Sequence, residues 1–165
     1  MLLQLRSLFL GDTQAVPFSG TLDLSDLEIG GEYPLQQPVT VNGRVENRTG
    51  IVTLTGEATY LLDTACSRCA APLQIPGRLP LSHVLVDSLN REDREDLLLV
   101  ENGELALDEL VQADLILSLP MRFLCREDCR GLCPRCGKNL NEGPCGCAED
   151  RVDPRLAALR SLLDE

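Results

Sequence analysis

The chain has no tryptophan, three phenylalanines and two tyrosines. A core must therefore be built from Leu, Val and Ala, and a surface that stacks bases on aromatic rings has little to work with. Histidine occurs once, at position 83. That count excludes a histidine-rich metal centre, and no Ser/His/Asp arrangement, P-loop or dinucleotide fingerprint is present. No apolar run approaches the roughly 20 residues needed to span a bilayer. Positive charge is also scarce: 15 Lys and Arg stand against 26 Asp and Glu, for a net charge of −11. Such a chain cannot coat nucleic acid over its whole surface, because that affinity comes from neutralising phosphates, although a local basic patch remains compatible. The apolar start, Met1 to Leu10, lacks a charged leading region and a small-residue cleavage site, so it reads as a first strand and the protein as soluble and cytoplasmic.

What the sequence does have is cysteine. Six of eight lie between Cys125 and Cys147, and the other two form the pair Cys66-x2-Cys69. In the cytoplasm clustered cysteines are metal ligands more often than disulfides. Zinc takes thiolates in a tetrahedron, and a C-x2-C turn holds two sulfurs at a separation that suits one ion. In Cys133-Pro134-Arg135-Cys136-Gly137 the proline stiffens the turn and the glycine accepts the left-handed conformation that closes it. Cys145-Gly146-Cys147 supplies the complement, giving a full four-cysteine site. Cys66, Cys69, Cys125 and Cys129 remain for a second. That pairing rests on weaker signals, since Ala70 stands where the closing glycine would be and the C-x3-C spacing suits one helical turn or a loose loop. Exchange of ligands between clusters, one metal with four free thiols, and iron in place of zinc stay open. A redox role would need a nucleophilic cysteine at a helix start, which neither C-x2-C has. A closed four-thiolate site leaves no position for substrate water, so two zinc ions here would be structural and the chain non-enzymatic, without a small-molecule substrate.

The rest reads as scaffold. Phe18 to Leu27 is a short alternating segment, and Gly30-Gly31 with Pro34 and Pro38 marks a loop. Val39, Val41 and Val45 share one parity, then Val52, Leu54, Ala58, Tyr60 and Leu62, then Leu73, Ile75, Leu79, Leu81, His83 and Leu85. Strict alternation predicts half-buried antiparallel strands, with Cys66 and Cys69 at the tip of a long hairpin. His83 shares its parity with leucines and is predicted to be partly buried with a hydrogen-bond partner. The acidic run from Glu92 to Glu109 reads as a solvated loop. Within it, Leu97 to Val100 and Glu104 to Leu107 predict a second hairpin around Asn102-Gly103. Asp108 is then predicted to cap a helix, apolar over most of its circumference and buried, that Pro120 stops. Asp153-Pro154 starts a short terminal helix with Leu156, Leu159 and Leu163 on one stripe. The expected fold is α+β: an antiparallel sheet, open or barrel-like, with one buried helix over residues 1–120, then a zinc-knuckle lobe and terminal helix over 121–165.

Around the cysteines lie Arg122, Arg126, Arg130, Arg135 and Lys138. These cations either offset the negative charge of a zinc–thiolate centre or bind a partner such as an RNA loop.

The Cys66-x2-Cys69 hairpin, the Asp108 helix ending at Leu119-Pro120, the run from Cys125 through Cys129-Arg130-Gly131-Leu132-Cys133-Pro134-Arg135-Cys136-Gly137-Lys138-Asn139-Leu140-Asn141, the Cys145-Gly146-Cys147 pair and the closing Asp153-Pro154-Arg155 together resemble the YceD family. These are the bacterial large ribosomal RNA subunit accumulation proteins. The resemblance covers nearly the whole chain. It implies a cytoplasmic factor that supports synthesis, processing or stability of large-subunit rRNA, with ribosomal proteins, an rRNA precursor or an rRNA-processing factor as partners.

Overall fold

A computed structural model describes residues 1–88 and 97–147. Five strands form one curled, half-barrel sheet in the order β2 (Ala15–Leu22), β3 (Val39–Arg48), β4 (Ile51–Ala65), β5 (Pro72–Val86), β6 (Leu97–Leu99). The first four pair antiparallel as neighbours along the chain, and β6 joins β5 in parallel. The parity read from the sequence is the parity that is buried. Val39, Val41 and Val45, then Val52, Leu54, Ala58 and Leu62, then Leu79, Leu81 and Leu85 share the inner face. Among the described residues no polar or charged side chain is buried, as expected of an aliphatic core.

One line of residues crosses the sheet with two glycines face to face. Phe18 pairs with Gly43, Gly43 with Gly56 and Gly56 with Leu81. A Cβ on Gly43 would lie 2.4 Å from the Thr55 carbonyl and 2.5 Å from the Phe18 ring, so the two glycines let neighbouring backbones close up beneath that ring. Thr49 and Gly50, both with positive φ, turn β3 into β4. Strands β4 and β5 then run in continuous register from Val52↔Leu85 to Ala65↔Pro72. At about 3.3 Å per residue this hairpin outreaches the core and carries its tip away from it.

Four expectations are corrected. The chain start is a strand, β1 (Leu2–Gln4), for three residues only, because Leu5 and Leu8 are both fully buried and their spacing winds the next residues into a helical turn, α1 (Arg6–Phe9). The segment expected over Phe18 to Leu27 starts earlier and ends at Leu22, with Leu24 and Leu27 tucked into the core from the following loop. Asn102 and Gly103 do turn the chain with positive φ, but no hairpin forms there. Strand β6 goes to the free edge of β5, while β7 (Glu104–Ala106) pairs antiparallel with β1, and the Leu5 N–H donates to the Gly103 carbonyl at 2.7 Å. Alternation shows which side chains turn inward, but not which free edge takes a strand.

The last correction concerns the helix, α2 (Leu107–Ser118). It starts two residues early, with Ala106 at the cap, because the β1–β7 ladder runs into it through a bond from Leu107 N–H to the Met1 carbonyl. Asp108 sits inside the first turn instead of capping. Leu107, Val111 and Leu115 pack inward, whereas Ile116 and Leu117 face out. His83 on β5 meets Asp114 on α2, with Nε2 2.6 Å from Oδ2, which is the partner expected for it. The terminal helix expected from Asp153 onward and the acidic stretch 89–96 lie outside the described residues. No described helix is long and apolar enough to cross a membrane.

Candidate metal centre

The eight cysteines converge in two groups of four, Cys66, Cys69, Cys125 and Cys129, and Cys133, Cys136, Cys145 and Cys147. Within each group all four sulfurs lie within 4.8 Å of one another. All eight thiols are free. The Cys66–Cys129 and Cys69–Cys125 sulfurs are 3.8 and 3.7 Å apart. A disulfide needs about 2.05 Å. A tetrahedron with metal–sulfur bonds of about 2.3 Å has edges of about 3.8 Å. Both groups are therefore positioned to hold a metal ion, and a set of four thiols fits zinc and iron alike.

The two C-x2-C turns have the same backbone design. In one, Gly137 N–H donates to the Cys133 carbonyl at 2.9 Å and Cys133 N–H to the Lys138 carbonyl at 2.8 Å. In the other, Ala70 N–H donates to the Cys66 carbonyl and Cys66 N–H to the Ala71 carbonyl, both at 2.8 Å. Gly137 has φ +71°, as the sequence predicted, and Ala70 takes the same left-handed conformation at 56° without being glycine. The first group is the more enclosed: Cys66, Cys69 and Cys129 are buried against Ala71, Leu73 and Leu124. In the second, only Cys133 is buried.

Donors aimed at sulfur set the ionisation. Backbone N–H donation from Cys125, which comes within 3.4 Å, and from Arg68 and Cys69 outweighs burial and brings the Cys66 thiol down to about 6. Backbone N–H groups of Cys136 and Arg135 do the same for Cys133, also to about 6. The Asn141 amide, at 3.3 Å, holds Cys129 below its ordinary value. Conversely, burial and then the neighbouring thiols push Cys125 up to about 12, while Cys136 and Cys145 push Cys147 to about 12. Cys69 is raised too: the Ala71 N–H opposes the shift, but burial and the Cys66 and Cys129 thiols prevail. Each group thus presents thiolates already stabilised by the backbone beside thiols that give up a proton only to a cation.

Several contacts lock the hairpin tip to the cysteine segment. Ser67 N–H donates to the Phe123 carbonyl at 2.7 Å, and Phe123 N–H returns a bond to Ser67 Oγ. The Arg68 guanidinium donates to the Cys129 carbonyl at 2.8 Å, while the Arg68 carbonyl accepts from Leu132 N–H. Gly131, with φ +73°, permits that approach, since a Cβ there would sit 3.0 Å from the Arg68 carbonyl oxygen. Ser67, Arg68, Gly131 and Asn141 were given no role by the spacing of cysteines. Their only signal is position, inside or next to the two clusters.

The five cations are all exposed. Arg126 is engaged internally, donating to Asn141 Oδ1 at 2.7 Å and lying 3.4 Å from Asp128, and Lys138 donates to the Pro144 carbonyl. Among the described residues Arg122, Arg130 and Arg135 have no such side-chain partner.

The chain is similar to several known proteins. The uncharacterized protein Rv2926c of Mycobacterium tuberculosis is 31% identical over 124 residues, which is 73% of this chain and 59% of the relative. The uncharacterized protein ML1660 of Mycobacterium leprae is 28% identical over 76% of this chain, again 59% of the relative. The matched part thus spans less than two thirds of these mycobacterial proteins. The uncharacterized protein YlbN of Bacillus subtilis is 24% identical over 92% of this chain and 90% of its own. No solved structure matches. The family described as large ribosomal RNA subunit accumulation protein YceD matches residues 54–163, a stretch that opens in β4 and includes all eight cysteines. The chain belongs to the YceD family.

Proposed function

We propose that the protein is a zinc-stabilised, non-enzymatic adaptor that supports large-subunit rRNA accumulation in the cytoplasm. Its acidic body, residues 1–120, contacts basic ribosomal proteins or an rRNA-processing factor. Its metal lobe, residues 121–165, presents a shaped surface carrying Arg122, Arg130 and Arg135, with Arg126 and Lys138 at its margin. The observation that carries this reading is the pair of four-thiol groups, one building the lobe and the other fastening it to the tip of the β4–β5 hairpin. Eight thiols committed to two closed sites leave none free for catalysis, and zinc with four sulfurs is structural. The family's description supplies the rRNA context.

The test has two parts. Elemental analysis beside a thiol count should give two zinc ions per chain with every thiol protected, while stoichiometric iron with its colour would replace zinc in this reading. In cells, Cys133→Ser with Cys136→Ser should lower large-subunit rRNA; unchanged rRNA with the metal sites lost would rule out a role for the lobe. A second reading, a structural zinc protein that binds a protein partner without touching RNA, is favoured by the internal engagement of Arg126 and Lys138. It predicts co-purification with ribosomal precursors that survives RNase, whereas contact with RNA through the cations predicts binding that falls steeply with salt.

A further inference from the structure

Asn141 lies in the loop between Cys136 and Cys145, which the second thiol group closes at both ends. Its side chain nevertheless reaches the first group. The amide Nδ2 donates to Cys129 Sγ at 3.3 Å and to Asn139 Oδ1 at 2.8 Å. Oδ1 accepts from Arg130 N–H at 2.8 Å and from the Arg126 guanidinium at 2.7 Å. Two donors on Oδ1 fix the orientation of the amide, so it is the N–H₂ side that faces sulfur. The loop is held in place by Asn139, whose Oδ1 also accepts from Asn141 N–H, and by a bond from Leu140 N–H to the Gly131 carbonyl. One half-buried side chain from the second group's loop thus supplies an outer hydrogen bond to a sulfur of the first.

We infer that Asn141 is a positioning residue that couples the two centres: a metal held by Cys133, Cys136, Cys145 and Cys147 orders the 137–144 loop, sets Asn141 on Cys129, and so tightens metal binding by Cys66, Cys69, Cys125 and Cys129. This rests on the metal reading above. Hydrogen bonds to ligand atoms from outside the coordination shell are worth about 10–100-fold in metal affinity. Coupling is reciprocal, so filling the first group tightens the second by the same factor. The lobe then loads and empties as a unit instead of as two independent sites.

The test uses the full chain loaded with zinc, competed with a graded chelator and pulse-alkylated. Mass spectrometry then reads protection of Cys66 and Cys69 apart from that of Cys133 and Cys136. Asn141→Ala should weaken retention at Cys66 and Cys69 by about 10–100-fold. Asn141→Asp keeps the oxygen that Arg126 and Arg130 use but sets a carboxylate against the sulfur, so it should lose at least as much. In a Cys145→Ser, Cys147→Ser background the first group should already be weakened, and Asn141→Ala should add little. Tolerance of Asn141→Asp would reduce the residue to a loop brace, and equal losses in both backgrounds would make its effect local; either result overturns the coupling. A wild-type chain that takes up no metal would instead overturn the metal reading itself, and this inference with it.

Discussion

At the scale of single residues, the two C-x2-C turns differ in one position that can be tested directly. Ala70 holds the left-handed conformation that Gly137 holds in the other turn, and a side chain there costs about 1 kcal/mol. Ala70→Gly should therefore stabilise the metal-loaded hairpin tip by about 1 kcal/mol, and Gly137→Ala should cost the lobe about as much, because a Cβ at Gly137 meets nothing within 4 Å and only the backbone preference is at stake. Chelator-release rates read site by site check both. The thiols also set a pH dependence. Cys66 and Cys133, lowered to about 6, are ionised at neutral pH, whereas Cys125 and Cys147, raised to about 12, and Cys69 hold their protons. Metal uptake by the first group then releases two to three protons instead of four, so near pH 7 its affinity should fall by about two to three powers of ten for each unit of acidification. The sign follows from the thiols that still hold protons, because each proton they must release to bind metal is harder to lose as pH falls, and below about 6 Cys66 regains its proton and adds one more. Metal-buffer titrations at two or three pH values measure the slope. A slope of four would mean that the backbone donors do not stabilise the thiolates.

At the scale of elements, the central strands and the long hairpin of β4 and β5 were readable, and the partners of β6 and β7 were not. The parity of Val39, Leu54 and Leu79 gives the buried face with no further information, because a half-buried strand has to alternate. The fate of β6 and β7 is decided by which edges are vacant, and that depends on residues a hundred positions away, as in the pairing of Gln4 with Glu104. The close approach of β3 and β4 likewise depends on a cross-strand coincidence, Gly43 opposite Gly56, that neither strand shows alone. Gly43→Ala should destabilise the sheet by about 1–3 kcal/mol or more. Truncating Phe18 should not restore it, because the added carbon also strikes the Thr55 carbonyl and the Gly56 backbone. Gly77 offers the contrast. A Cβ there would meet only the Tyr60 ring among its nearest atoms, at 2.2 Å, so Gly77→Ala should be partly rescued by Tyr60→Ala. Denaturant midpoints of the four variants and the two doubles separate backbone conflict from side-chain conflict. Asp114→Ala should cost about 1 kcal/mol by removing the polar bond between α2 and β5, a modest loss because both partners remain partly exposed.

At the scale of the whole molecule, the division of the cysteines was legible because counting ligands leaves Cys66 and Cys69 as the only thiols that can complete Cys125 and Cys129. The means by which the second group is tied to the first was not legible, since Arg68, Gly131 and Asn141 act through backbone carbonyls and one sulfur, contacts with no fixed spacing. The apolar clusters show what the tie holds together. The main core runs from Leu3 to Leu115 through the sheet, α1 and α2, and it contains no cysteine. A separate small cluster joins Cys66, Cys69 and Cys129 with Ala71, Leu73 and Leu124 at the hairpin tip. A core of that extent does not need metal to fold, whereas a lobe whose few buried side chains are mostly cysteines does. Chelation should therefore leave the far-ultraviolet spectrum of the sheet and its cooperative unfolding in place. Hydrogen exchange should rise sharply at Ser67 and Ala70 and from Phe123 to Cys147, while Val41, Leu54 and Leu81 stay protected. If the sheet melted together with the lobe, the hairpin tip would be part of one cooperative unit, and the metals would support the whole fold instead of a surface carried at its end.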